Sequence, residues 1–268
     1  MKTSPCIVCL ILTTVFSAYA QESDSLTVRV GTLGTLASKN FQPLWLESNR
    51  FGVISGEGAD LATYIGGWNR HTVPLGRKEL RIDYGINLVN NRHFNHVIVQ
   101  QGYLKVRYGV LEFRGGRFEE ILGEVDPLLS TGSLGLSGNA LPIPKIGAAF
   151  PDYVDVPFTN GWLQVKGSLS HGWMGYEQSM KRAWLHEKSF YARLGKGPFR
   201  IFGGLQHFAL WGGQRGHIRL DRSLRGFFDV LFVKEANDGY DPDGIHPNRA
   251  GDQRGLLEFG GDLELPQV

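Results

Sequence analysis

RIDYGINLV, residues 81–89, alternates without a break. Successive side chains of an extended chain point to opposite faces. Ile82, Tyr84, Ile86 and Leu88 therefore share one face, and Arg81, Asp83, Gly85 and Asn87 the other. That is the signature of a strand with one apolar and one polar side. The same pattern recurs in LQVKGSLS at 163–170 and in LEFGGDLEL at 257–265, and more weakly in LTVRV at 26–30 and YLKVRYGVLEFRGGRF at 103–118. Helical periodicity is scarce, and short helices are expected only around 41–49 or 178–187. The fold class is all-β.

The first residues are a different kind of segment. Lys2 precedes an apolar stretch, Ile7 to Phe16, which is followed by Ala18-Tyr19-Ala20. This reads as a cleavable signal peptide over 1–20, cut between Ala20 and Gln21. The apolar stretch is too short for a spanning helix, which needs roughly 20 residues. Removing 20 of 268 residues leaves 248, read as one domain over 21–268. The only cysteines, Cys6 and Cys9, fall within the signal peptide. They precede the small-residue site rather than follow it, which argues against lipidation. The mature chain is thus expected to have no disulfide and no cysteine-based zinc site. A net charge of +2, with acids and bases interspersed, argues against a nucleic-acid partner. No later run of 18 apolar residues marks a membrane helix. Two classes remain: a soluble exported β-sandwich, and an outer-membrane barrel, which spans without any long apolar run.

Several features favour the barrel. The chain holds 36 glycines, many inside strand patterns, where they ease curvature. Three stretches lack alternation: 123–157, 211–226 and 234–256. Strands joined alternately by short turns and long polar loops suit the asymmetric edges of such a barrel. Trp68, Tyr103, Trp162, Trp173, Trp184 and Trp211 are placed at strand ends, as an aromatic girdle. FRIFGGLQHFALWGG, residues 199–213, reads as a wall strand running into an external loop, with Gly203 and Gly204 permitting bending and Trp211 opening the loop. Against the barrel, the chain ends in LELPQV rather than on an aromatic residue.

Several segments also carry a resemblance. PLWLESNRFG at 43–52, GSLGLSGNALPIPKI at 132–146, DVPFTNGWLQVKGSLSHGW at 155–173, LHEKSFYARLG at 185–195 and GLQHFALWGG at 204–213 resemble the Wzi-type capsule assembly proteins in their Bacteroidetes form, with a looser match at 250–265. The resemblance implies an antiparallel β-barrel in the outer membrane of a Gram-negative bacterium. Its partners would be membrane lipid and capsular or other surface polysaccharide, which it binds and helps to assemble. It implies no catalysis, no cofactor and no metal. At roughly 9–11 residues per strand, the mature chain reaches about a dozen strands. That is fewer than the family barrel, so the expectation is an incomplete barrel, the N-terminal part of a longer one.

Sugar polymers are gripped by aromatic faces and by side chains with several donor or acceptor positions. Trp211, Arg215, His217, Tyr240, Asp241, Asp243 and Asn248 are the candidates for polysaccharide binding. The bland alternative makes Trp211 an interfacial anchor and 234–256 a solvated loop. His171 and His186 read as structural hydrogen-bonders in the lumen. Ser170 lies on the opposite strand face from His171, so the two cannot form a nucleophile–base pair. DGYDPDG at 238–244 lacks the spacing and distal Glu of a calcium loop. Asp241 and Asp243, in one loop, fix no separation of the kind glycoside hydrolysis requires. A porin-like channel for small sugars is the alternative function, on a polar face carrying Arg81, Asp83, Lys105, Arg107, Lys166 and Arg193.

Overall fold

A computed structural model describes residues 16–17, 26–175, 180–215, 218–234 and 250–264. Ala20 and Gln21, and with them the cleavage site, lie outside the described residues. Among the described residues the protein is all-β apart from two short helices. Its long strands are β2 (Thr27–Phe41), β3 (Glu57–Leu75), β4 (Lys78–Asn91), β5 (His96–Tyr108), β6 (Leu111–Arg117), β7 (Lys145–Asp155), β8 (Leu163–Trp173), β9 (Trp184–Leu194), β10 (Phe199–Trp211) and β13 (Asp252–Leu263). They follow one another as a ten-strand antiparallel meander. A two-residue strand β1 (Phe16–Ser17) pairs with β2. The small strands β11 (Gln214–Arg215) and β12 (Ile218–Arg219) form a ribbon in the connection from β10 to β13. Helix α1 is Leu44–Glu47 and helix α2 is Leu224–Leu231. Among the described residues, hydrogen bonds do not close the sheet: β2 and β13 stand near opposite ends of the strand order, so the expected barrel is met only as a meander.

The chain divides into two compact units. One comprises residues 1–106, 116–121 and 125–142, the other 107–115, 122–124 and 143–268. In the first unit, strand register places Thr35, Asp60, Tyr64, Asp83 and Asn87 on one face of β2, β3 and β4, and Val28, Val30, Ile65 and Ile86 on the other. In the second, register across β8, β9, β10 and β13 gathers Lys166, Ser168, Glu187, Tyr191, Arg193, Gln206 and Glu258 on one face. Leu169, Phe190, Leu194, Ile201, Leu205, Leu257, Phe259 and Leu263 share the opposite face.

Within these strands, the polar face is buried more than the apolar one. On the polar face Tyr191 and Gln206 are each 1% exposed, while on the apolar face Phe190 is 53% and Phe259 89% exposed. Water-soluble domains bury their large apolar side chains and keep charged ones outside. Here the buried residues include Asp60, Asp83, Glu112, Lys145 and Glu187.

Several local expectations are corrected. The segment from Trp184 onward, expected to be helical, is β9, while 176–179 lies outside the described residues. Residues 145–155, read as loop, form β7, whose alternation is broken by an irregularity between Phe150 and Val154. The stretch 103–118 is two strands, turning at Gly109, which has φ +60°. Trp68 and Tyr103 lie inside β3 and β5 rather than at strand ends. Gly204 is glycine for closeness rather than bending: a Cβ there would sit 2.1 Å from the Tyr191 ring.

Candidate functional site

The polar face of the second unit is a connected network. The Glu258 carboxylate accepts from the Tyr191 hydroxyl at 2.5 Å and from the Gln206 amide at 2.6 Å. Arg193 donates twice to Gln164 Oε1, at 2.9 and 2.7 Å, and lies 3.6 Å from Asp262. Its guanidinium is also 3.9 Å from the Tyr153 ring centroid. Lys145 and Glu187 form an almost fully buried ion pair at 2.7 Å. Arg107 pairs with Asp152 at 2.7 Å.

Part of the connection from β6 to β7 folds onto this face. The Glu124 backbone N–H donates to Glu258 at 3.3 Å, and the Glu124 carboxylate meets Lys166 and accepts from the Tyr153 hydroxyl at 3.1 Å. Gly123 makes the approach feasible. It has φ +89°, a conformation that favours glycine. A Cβ there would fall 2.4 Å from Gln206 Nε2 and 2.7 Å from Glu258 Oε2.

The first unit repeats the theme. Asn87 donates to Gln100 at 2.9 Å, and Gln100 to Glu119 at 2.6 Å. Asp83 meets Arg70, and accepts from Arg81 at 3.0 Å. The charged side chains that suggested a channel lining, Arg81, Asp83, Arg107, Lys166 and Arg193, are thus each engaged with a neighbour. Lys105 lies over the rings of Tyr103 and Phe118.

The apolar face of the second unit holds a separate cluster near one end of its strands. The rings of His171, Trp184 and Trp211 lie 4.7–5.6 Å apart between centroids, and Phe227 lies 5.9 Å from His171 and from Trp211. His186 adjoins Phe227 at 5.8 Å and His207 at 6.1 Å. Helix α2 covers the cluster through Phe227 and Val230, and Lys188 donates to the Leu231 carbonyl. His171 and His186 were expected to hydrogen-bond in the lumen; both instead lie on the apolar face. His186 is 0% exposed, and neither of its ring nitrogens has a hydrogen-bond partner among the described residues. Ser170 does fall on the other face: it pairs in register with Glu187, and His171 with His186.

Trp211, the first of the sequence candidates, is the last residue of β10 and is 2% exposed within this cluster. Arg215 falls in β11, and its side chain lies outside the description. His217, Tyr240, Asp241, Asp243 and Asn248 lie outside the described residues. Sequence reasoning missed an open cleft of about 910 Å³, lined by Lys181, Arg182, Gln214, Arg219, Asp221 and Arg222 among others. The signal was Lys181 and Arg182, just after 176–179, together with Arg219 and Arg222 within 211–226, which no single linear motif unites. A smaller cleft of about 270 Å³ runs along α2 past Asp221, Arg225 and Asp229. Among the described residues, no group of three or more His, Cys, Asp or Glu is arranged to hold a metal.

Comparison with protein-family models, with curated proteins and with solved structures gave no match.

Proposed function

We propose that this chain forms the wall of an outer-membrane β-barrel that binds surface polysaccharide and assists its assembly at the cell surface, without catalysis, as its resemblance to the Wzi-type proteins implies. The observation that carries the reading is the inverted burial. One face of the meander exposes Leu169, Phe190, Ile201, Leu205, Leu257 and Phe259, and the other buries acids, amides and tyrosines. In water such an apolar face is a liability. In a bilayer it is the face that meets lipid, and alternation of apolar and polar residues is what a spanning barrel strand requires.

The state of the polar face supports assembly over free passage. The charges there are paired with one another, and Gly123–Glu124 is tied onto the face through Glu258, Lys166 and Tyr153. A diffusion channel is served by a hydrated, unobstructed lining. Two measurements test the proposal on the full chain. Fractionated cells should hold the protein in the outer membrane, and recovery in the soluble periplasm overturns the reading. Reconstituted protein should retain surface polysaccharide purified from the producing cells and should stay silent in planar bilayers. Steady open-channel currents without retention would establish the porin instead.

A further inference from the structure

Register fixes where α2 and the cationic cleft stand relative to the apolar band. On the apolar face, Trp173, Trp184 and Trp211 form one row across β8, β9 and β10. Two residues further along each strand come His171, His186 and Ala209, then Leu169, Lys188 and His207, then Gly167, Phe190 and Leu205. The last row before the turn holds Leu163, Leu194 and Ile201. From Leu163 to Trp173 is ten steps along β8. At about 3.4 Å per residue that is roughly 34 Å along the strand. At the usual barrel tilt of about 40° it becomes roughly 26 Å, close to the height of an outer-membrane apolar band, about 25 Å.

That band has a flaw: three histidines and Lys188 stand in its upper rows. Helix α2 repairs it. The helix begins just after Arg222, whose guanidinium lies 4.3 Å from the Trp184 ring centroid, and ends at Leu231, bonded to Lys188. It thus covers the rows between Trp184 and Lys188. It turns Phe227 and Val230 toward the cluster and leaves Leu224 (81%), Phe228 (50%) and, just past its end, Phe232 (65%) exposed. Apolar surface therefore continues up to the tryptophan row, where a membrane's aromatic belt belongs. The cleft lies beyond that row. Lys181, Arg182, Arg219 and Arg222 all line it and are exposed, against one acid, Asp221. The Asp221 carboxylate is itself occupied by Ser223, accepting from its backbone N–H and its hydroxyl, both at 2.8 Å.

We infer that this cleft is a binding site for the phosphate of an anionic membrane lipid, whose acyl chains lie along α2 and the apolar band beneath. Charge complementarity and continuity with the band select a lipid over a free polysaccharide. The inference rests on the membrane reading above. The test uses the full chain in neutral phosphatidylcholine vesicles doped with brominated lipid, which quenches tryptophan on contact. Brominated phosphatidylglycerol should quench more than brominated phosphatidylcholine at equal mole fraction. The Lys181→Gln/Arg219→Gln variant should lose that preference, by roughly fivefold in relative affinity for each cation removed. Lys196→Gln, at the turn on the opposite edge, should keep it. Equal quenching by the two lipids in an inserted protein overturns this inference alone. So does a preference that survives about 0.5 M salt, where surface charge is largely screened. Displacement of brominated phosphatidylglycerol by alginate at equal charge would assign the cleft to an acidic polysaccharide. A chain that neither lipid quenches has not inserted, and the membrane reading falls together with this one.

Discussion

Gly203 and Gly204 are neighbours in β10, yet only the second is required to be glycine. A Cβ on Gly204 would overlap the Tyr191 ring, whereas the nearest atom to a Cβ on Gly203 is 3.8 Å away. Gly204→Ala should therefore destabilise the protein by about 1–3 kcal/mol, because Tyr191 must leave Glu258 to make room. Gly203→Ala should stay within about 0.5 kcal/mol. Urea unfolding of the two variants in detergent micelles separates them. Lys145 and Glu187 make a sharper case. Each is at most 5% exposed at its side chain, and each is the other's ion-pair partner. Removing one charge takes from the other its nearest partner, with Arg114 as the remaining cation acting on Glu187, so Lys145→Met alone should lose up to about 3–5 kcal/mol. The double variant Lys145→Met/Glu187→Leu should recover most of that loss, since a well-packed apolar pair replaces an ion pair at little net penalty. The same unfolding experiment gives the coupling, and a double variant as unstable as the single one would contradict it.

Helix α2 is the element on which the apolar-face cluster depends. Phe227 touches His171, His186 and Trp211. Phe227→Ala should weaken the docking of α2 by roughly 2–3 kcal/mol. The reporters are Trp184 and Trp211, whose fluorescence should shift to the red as water reaches them, with the strand signal in circular dichroism unchanged. The start of the helix responds to acid in a definite direction. The backbone N–H of Ser223, and then its hydroxyl, hold the Asp221 carboxyl below its ordinary value of 3.8. A carboxylate lowered in the folded state stabilises it above the ordinary value, and the contribution fades as pH falls through the lowered one. Asp221→Asn should therefore be less stable than the wild type at neutral pH and converge with it only well below pH 3.8, as read by thermal melts across that range. Neither α2 nor β7 was legible in the sequence. The Leu224–Leu231 segment has only two turns of helix, and a glycine sits in the first, so its period is short and interrupted. The irregularity after Phe150 shifts the register of β7 and erases its alternation. Where alternation is unbroken, as in Arg81–Val89, Leu163–Ser170 and Leu257–Leu263, strands and faces were readable at once. The site was less readable. Glu124, Tyr191, Gln206 and Glu258 come together only when β9, β10 and β13 are in register, and no local pattern encodes that.

At the scale of the whole chain, the ends of the strand order carry the main prediction. Among the described residues, β2 is bonded on one side only apart from its two-residue pairing with β1, as is β13. An unpaired strand edge cannot rest in hydrocarbon, where each unsatisfied backbone group costs several kcal/mol. In the membrane proposed above, each edge would therefore pair, either with the other edge or with another chain. Residues 21–268 contain no cysteine, so thiols placed at Val28 and Phe259, and at same-face neighbours to allow for register, report the outcome. Non-reducing gels of membrane-inserted protein should show a cross-linked monomer at one pair in the scan; dimers alone would mean that the edges pair between chains. Glu258 also dictates an order of events during synthesis. Neighbouring strands of a meander can zip together as they emerge, because each contact is local and loop closure is brief. The hydrogen bond from Glu124 to Glu258 spans 134 positions. Until β13 has arrived, the Gly123 turn has no carboxylate to bind, and Tyr191 and Gln206 lack their acceptor. The polar face of the second unit is thus locked only once β13 has arrived.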